Sequence, residues 1–250
     1  MAPRILDEHG LLAREQQIID AAIELIEDAG IENFTMDKVI AKVPFSKGTV
    51  YKHFIGKEDL FLAMNNLASL IVSDFFSRAK EFKGCTREKL LLLNFSYLIY
   101  AILHPVLFKA MLCSKTSNVY GKSSESRIKQ QRQNETKLLS SVYAIIDEAI
   151  AQEQLTLPHN MDIQQVCFAN WSMAFGSISL LSDEVDECSG RTNLRVEQEL
   201  INQSNLLFDG LQWNPLAKEK DYSIRLKSVI QQIFPEELVL MKAKGRELHF

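Results

Sequence analysis

Helix breakers, possible staples and metal ligands are all sparse in this 250-residue sequence, which holds ten glycines, six prolines, four cysteines and five histidines. Cys85, Cys113, Cys167 and Cys188 lie far apart, without a C-x-x-C pair or a neighbouring histidine pair. That pattern argues against a zinc centre or a disulfide framework, and no metal is expected. Alternating strand patterns and internal repeats are missing as well. The longest apolar stretch, Leu90 to Leu103, contains Asn94 and Ser96 and stops at His104-Pro105. It is too short to span a bilayer and reads as a buried helix. The first residues include Pro3, Arg4, Asp7 and Glu8, not a basic-then-apolar leader, so a cytoplasmic protein away from membranes is expected.

Motifs for catalysis are missing too. Gly121-Lys122-Ser123 has the ending of a phosphate loop, but Thr116 stands where the first glycine must be and no strand precedes it. Around Ser177 the order is Phe-Gly-Ser-Ile-Ser, which is no nucleophile elbow. Neither an enzyme nor a bound cofactor is expected.

What the chain does have is helical periodicity. Ile18, Ile19, Ala22, Ile23 and Ile26 form one face of a helix over about 13–29, closed by Gly30. Thr35 is suited to cap a second helix, 36–42, with Met36, Val39 and Ile40 inward. A helix from Lys57 to about Phe82 follows a short third one. Further helices are expected at 86–103 with Thr86 as cap, 106–113, 125–152, 162–181, 194–211, 220–233 and 236–247. Residues 114–124 and 183–193 read as polar loops, and Arg127, Lys129 and Arg132 as a solvated face. The fold class is all-α.

Charge is ordinary in total and uneven in place. The formal net charge is −4, yet the stretch from Lys38 to Lys57 holds Lys38, Lys42, Lys47, Lys52, Lys57 and His53 with no acid among them. A basic segment inside an acidic protein is the footprint expected for nucleic acid. Ser46 is placed to cap a short helix carrying Lys47, Thr49, Tyr51 and Lys52 outward, while Val50 and Phe54 dock it inward. Cations, hydroxyls and a phenol are the groups that meet phosphates and base edges. Lys57 opens the next helix, where the macrodipole disfavours a cation unless an anion lies beside it.

The stretch Thr35 to Leu60 resembles the DNA-binding signature of the tetracycline-repressor (TetR) family of bacterial regulators. The matching residues are Thr35, Val39-Ile40, Ser46-Lys47-Gly48-Thr49-Val50-Tyr51, Phe54 and Lys57-Glu58-Asp59-Leu60. One departure stands out: Val43-Pro44-Phe45 precedes the serine where the family usually has Ala-Gly-Val. Proline fixes its own φ and steers Val43 out of helical geometry, so a differently set turn is expected.

The resemblance implies an N-terminal helix-turn-helix domain (1–56), a connecting lever (57–82) and an effector-binding and dimerisation domain (57–250). It implies a homodimer paired through helices 162–181 and 194–211 on a near-palindromic operator in double-stranded DNA. Ala169, Ala174 and Gly176 would let the paired helices approach closely. DNA contacts are expected from Thr35, Ser46, Lys47, Thr49, Tyr51, Lys52, His53 and Lys57. A small apolar or aromatic effector is expected among Phe95, Tyr97, Tyr100, His104, Phe108, Met111, Tyr143, Asn170, Trp171 and Phe175. Two other readings stay open: an architectural or partner-controlled DNA binder without an effector, and a helical interaction protein whose head no longer binds DNA.

Overall fold

The structure is a computed structural model and describes residues 7–182 and 189–250. Within them all regular structure is helical, twelve α-helices and one 3₁₀ turn. Of the loop expected over 183–193, residues 183–188 lie outside the described residues. The chain divides into two compact units: residues up to Ser69 with Val106–Asn134, and Leu70–Pro105 with Glu135–Phe250.

The first unit opens with α1 (Glu8–Ala29), longer at its start than the apolar pattern implies because Asp7 caps it, its carboxylate accepting from the Gly10 N–H at 2.8 Å. Gly30 ends α1 at φ 80°, a left-handed conformation that favours glycine. After the 3₁₀ turn Ile31–Asn33, Thr35 caps α2 (Met36–Lys42) by accepting from the Lys38 N–H. Val43 is extended, φ −106° and ψ 151°, as its following proline requires. Next come α3 (Lys47–His53) and the start of α4 (Lys57–Lys80). Ile18, Ala22, Val39, Val50, Phe54 and Leu60 are fully buried, and Phe34 packs on Phe61 at 5.3 Å. These few side chains hold together helices too short to persist alone.

The same unit contains most of α6 (Pro105–Ser114), the whole of α7 (Ser117–Gly121) and the first part of α8 (Glu125–Ala151). α7 corrects the expectation of an uninterrupted loop. Thr116 accepts from the Val119 N–H and nucleates one extra turn. α4 is long and apolar enough to cross a membrane, but 72% of its most apolar window is buried inside the protein.

The second unit is organised around α5 (Thr86–Leu103), which is apolar nearly all round and packs against α9 (Ile163–Leu181), α10 (Val196–Gly210), α11 (Ser223–Ile233) and α12 (Pro235–Ala243). Cys85, not Thr86, occupies the cap position of α5, and its N–H donates to the Glu88 carboxylate at 2.9 Å. The Thr86 hydroxyl instead donates to Gln154 and accepts from the Trp213 indole at 2.8 Å. Arg87 is completely buried, and its two terminal nitrogens donate to Asp209, Asn205 and the carbonyls of Trp213 and Pro215. Of the cysteines, Cys85, Cys113 and Cys167 are free, and Cys188 lies outside the described residues.

Candidate nucleic-acid interface

α3 is built as its sequence suggests. Ser46 Oγ accepts from the Thr49 N–H at 3.3 Å and pairs with the Thr49 hydroxyl at 2.9 Å, which closes the first turn. Val50 and Phe54 are fully buried, and the opposite side leaves Ser46, Lys47, Gly48, Tyr51 and Lys52 exposed with Thr49 at its edge. Thr35 is exposed at the start of α2. The surface offers cations, hydroxyls and a phenol on one short helix. A Cβ added at Gly48 would meet no atom within 4 Å, so that part of the helix lies open.

The lysines differ in how free they are. Lys47 reaches Asp37 at 3.3 Å and lies over the Tyr51 ring at 5.8 Å, with two thirds of its side chain still exposed. Lys42 pairs with Glu24 at 2.9 Å, and Lys38 donates to the Asn33 carbonyl at 2.8 Å. The Glu24 pairing raises the Lys42 pKa. Lys57 donates to the Phe34 carbonyl at 2.8 Å, with its ammonium 5.4 Å from the centroids of both Phe34 and Phe61. Lys52 has no partner among the described residues.

His53 departs from expectation. Its side chain is 9% exposed and its Nδ1 lies 3.6 Å from Glu15, so the ring is turned into the head. Arg127 departs as well. The sequence places it on a solvated face, yet its side chain is 11% exposed. It donates to Glu15 at 3.0 Å and to the His53 carbonyl at 3.3 Å, and stacks 4.8 Å from the Phe54 centroid. Asp59, nearly inaccessible, accepts from the N–H and hydroxyl of Ser124 and from the Ile55 N–H. Together these bonds fix the end of α3 and the entry to α4. Apart from the Ile55–Asp59 bond, nothing local in the sequence signals them, because the other partners lie far apart along the chain.

Residues 18–64 match the profile described as bacterial regulatory proteins, tetR family. The head of this chain is therefore similar to the DNA-binding segment of TetR-family regulators. An uncharacterized HTH-type transcriptional regulator of Pseudomonas putida, TtgW, is 39% identical over 49 residues, which are 20% of this chain and 37% of that protein. The match therefore spans little more than a third of that curated relative. Among solved structures, the TetR-family regulator PfmR of Thermus thermophilus is similar over 78% of this chain and 98% of its own, at 20% identity and TM-score 0.55. FadR of Bacillus subtilis, solved in complex with stearoyl-CoA, is similar over 78% and 98% respectively, at 17% identity and TM-score 0.58. At such identity these two share the fold. TetR-family relatives are transcriptional regulators, and an enzymatic reading finds no support in them.

The residues expected around an effector fall in both units. Phe108 (buried) and Met111 (half-buried) lie on α6 in the first. In the second, Tyr97 and Tyr100 of α5 stack at 5.9 Å, and Tyr100 lies 5.7 Å from His104, which caps the end of that helix. Burial raises the pKa of both tyrosines, and a hydrogen bond with Trp171 partly offsets this at Tyr97. Burial, with a smaller contribution from Lys244, lowers the pKa of His104. Phe95 is buried and stacked on Phe250 at 5.3 Å. Asn170, expected to orient a ligand, is already paired: it and Asn94 exchange amide bonds of 2.9 and 3.0 Å, and Asn94 reaches Ser204. Trp171 and Phe175 are half-buried and form a row of rings with Phe168, which is 61% exposed. Tyr143 lines an open groove of about 550 Å³ with Asp147, Leu157, Met161, Asp162 and Ile163. Among the described residues no cluster of histidine, cysteine and carboxylates could hold a metal.

Proposed function

We propose that this chain is a sequence-specific transcriptional repressor that binds a near-palindromic operator as a homodimer and is released by a small, largely apolar effector. The observation that carries this reading is α3: a short helix docked by wholly buried Val50 and Phe54, with its polar and cationic residues left outward. Such a helix enters the major groove, and two copies one helical turn apart would read a two-fold symmetric site. Ser46, Lys47, Thr49 and Tyr51 are assigned to base edges and adjacent backbone. Thr35 and Lys52 are assigned to phosphates, and so is Lys57 if its ammonium exchanges the Phe34 carbonyl for one.

Dimerisation is assigned to α9 and α10, which pack against each other and leave Phe168, Leu180 and Leu206 more than 60% exposed. Three large apolar side chains in water favour a partner surface. Of the small residues, Ala169 and Gly176 are half-buried, whereas Ala174 is buried within its own chain. The effector class rests on the aromatic composition of α5 and on a relative of the same fold solved with stearoyl-CoA. An effector releases DNA only by binding the non-fitting state more tightly. The functional division is the one implied by the family: a head over 1–56, a lever over 57–82 and a sensing domain over the remainder, working in the cytoplasm.

The test is selection of bound duplexes from a random pool at near-physiological salt, before and after stripping bound ligand from the protein. A symmetric winning site supports dimeric operator recognition. Enrichment without symmetry favours an architectural binder, and no enrichment in either preparation removes the DNA-binding reading. A thermal-shift screen across apolar compounds then tests the effector, since a saturating ligand raises stability by mass action.

A further inference from the structure

α1 carries a cation that is held against the residue preceding the α3 cap and is engaged by no acid among the described residues. The Arg14 guanidinium lies 5.1 Å from the Phe45 ring centroid. It has no ion pair or hydrogen bond among the described residues, and positions three and four residues away are Gly10, Leu11, Gln17 and Ile18, so no carboxylate faces it along the helix. The neighbouring acid, Glu15, is engaged by Arg127 and His53. Phe45 immediately precedes Ser46, the cap of α3, and stands where the family signature has valine. An aromatic ring supplies a platform that an aliphatic side chain does not. A guanidinium stacked on a ring keeps its N–H edges free, in the fork geometry that suits a phosphate.

We propose that Arg14, held on Phe45, is a DNA-backbone clamp at the start of the recognition helix, a phosphate contact outside the segment that matches the family profile. Two observations favour this over simple packing. Lys38, Lys42, Lys47 and Lys57 already have acidic or carbonyl partners, so Arg14 and Lys52 supply the unengaged positive charge beside α3. Phe45 also remains half-buried under Arg14, so the ring is not part of the sealed core. The inference rests on the DNA-binding reading above and adds one contact to it.

The experiment measures affinity for a selected operator by fluorescence anisotropy across a salt series, using the full chain and the variants Arg14→Ala, Arg14→Lys, Phe45→Leu and Arg14→Ala/Phe45→Leu, with Lys52→Ala as a control. Each phosphate contact contributes about 0.9 to the log–log salt slope. Arg14→Ala should therefore flatten the slope by about 0.9 per bound head, which is about an eightfold loss at 0.1 M salt that closes toward 1 M. Phe45→Leu should weaken binding in the same direction, and Arg14→Ala should cost less in that background than in the wild type. Arg14→Lys should keep the slope while losing part of the affinity. Thermal melts of each variant establish that the head is folded. An unchanged slope for folded Arg14→Ala, with Lys52→Ala flattened, overturns the clamp and leaves the DNA-binding reading standing. A wild type with no salt-dependent DNA binding overturns both.

Discussion

Replacing Gly48 with alanine should separate folding from DNA binding in opposite directions. Gly48 is the second residue of α3, and its backbone is not in the left-handed region that would require glycine. A Cβ there would meet nothing within 4 Å. Inside the protein, then, glycine gains nothing and gives up helix stability. Alanine at a compatible position restrains the unfolded chain and stabilises by about 0.4–1 kcal/mol. The low end suits the first turn of a short helix, and about 0.5 kcal/mol corresponds to about 1–2 °C in Tm for a chain of this size. On DNA the sign reverses. If glycine is there so that the duplex backbone can approach the helix closely, a methyl group must push it away. A loss of about tenfold, about 1.4 kcal/mol, is expected. Differential scanning fluorimetry and operator titration on the same sample measure both. A Gly48→Ala protein that melts slightly higher and binds its operator as the wild type does would refute the close-approach reasoning.

Other perturbations follow from the same contacts. Lys52→Ala should flatten the salt slope by about 0.9 per head with little change in Tm. Lys57→Ala should do the reverse, lowering Tm through its lost Phe34 carbonyl and ring contacts while changing the slope less; equal slopes for the two variants would reject this ordering. Arg127→Met removes a nearly buried cation from Glu15 and the His53 carbonyl, and should cost about 3 kcal/mol, read as a lower denaturant midpoint. His104 should make stability pH-dependent, because burial lowers its folded pKa. The unfolded chain then binds more protons, so stability is fully present above about pH 6.5 and is lost as pH falls through the depressed folded value. Melts from pH 7.5 to 5 should fall less steeply for His104→Gln than for the wild type.

The helices and their order were legible because 3.6-residue periodicity and capping chemistry are local. Thr35 and Ser46 cap the helices that the sequence assigns to them. What escaped was decided by distant partners. Thr86 looks like a cap, but its hydroxyl is claimed by Gln154 and Trp213, 68 and 127 residues away, and Cys85 takes the cap position instead. Arg127 sits in a run of charged residues at the start of a long helix, which locally describes a solvated face. Its partners are 112 and 74 residues upstream. His53 resembles another cation on a basic helix, but α3 makes less than two turns before Phe54, and the last residues face the core side as much as the solvent.

Charge shows the same gap between composition and availability. Counted along the chain, the head offers five lysines to DNA. In the folded unit their commitments differ, and so does the cost of changing them. Lys52 has no partner to leave among the described residues. The Lys47–Asp37 pair is highly exposed, 66% and 81% of the two side chains, and such pairs are worth about 0–1 kcal/mol. Exchanging Asp37 for a phosphate is therefore nearly neutral, and moderate salt weakens the competing pair as well. Lys42 is less exposed and lies between Glu24 and Asp28, so it gives up more to reach DNA. Lys57 must leave a carbonyl and two rings. The availability order Lys52, Lys47, Lys42, Lys57 is not the order of their positions in the signature. It is set by what each ammonium must leave behind, which is why a count of basic residues overstates the electrostatic footprint of this head.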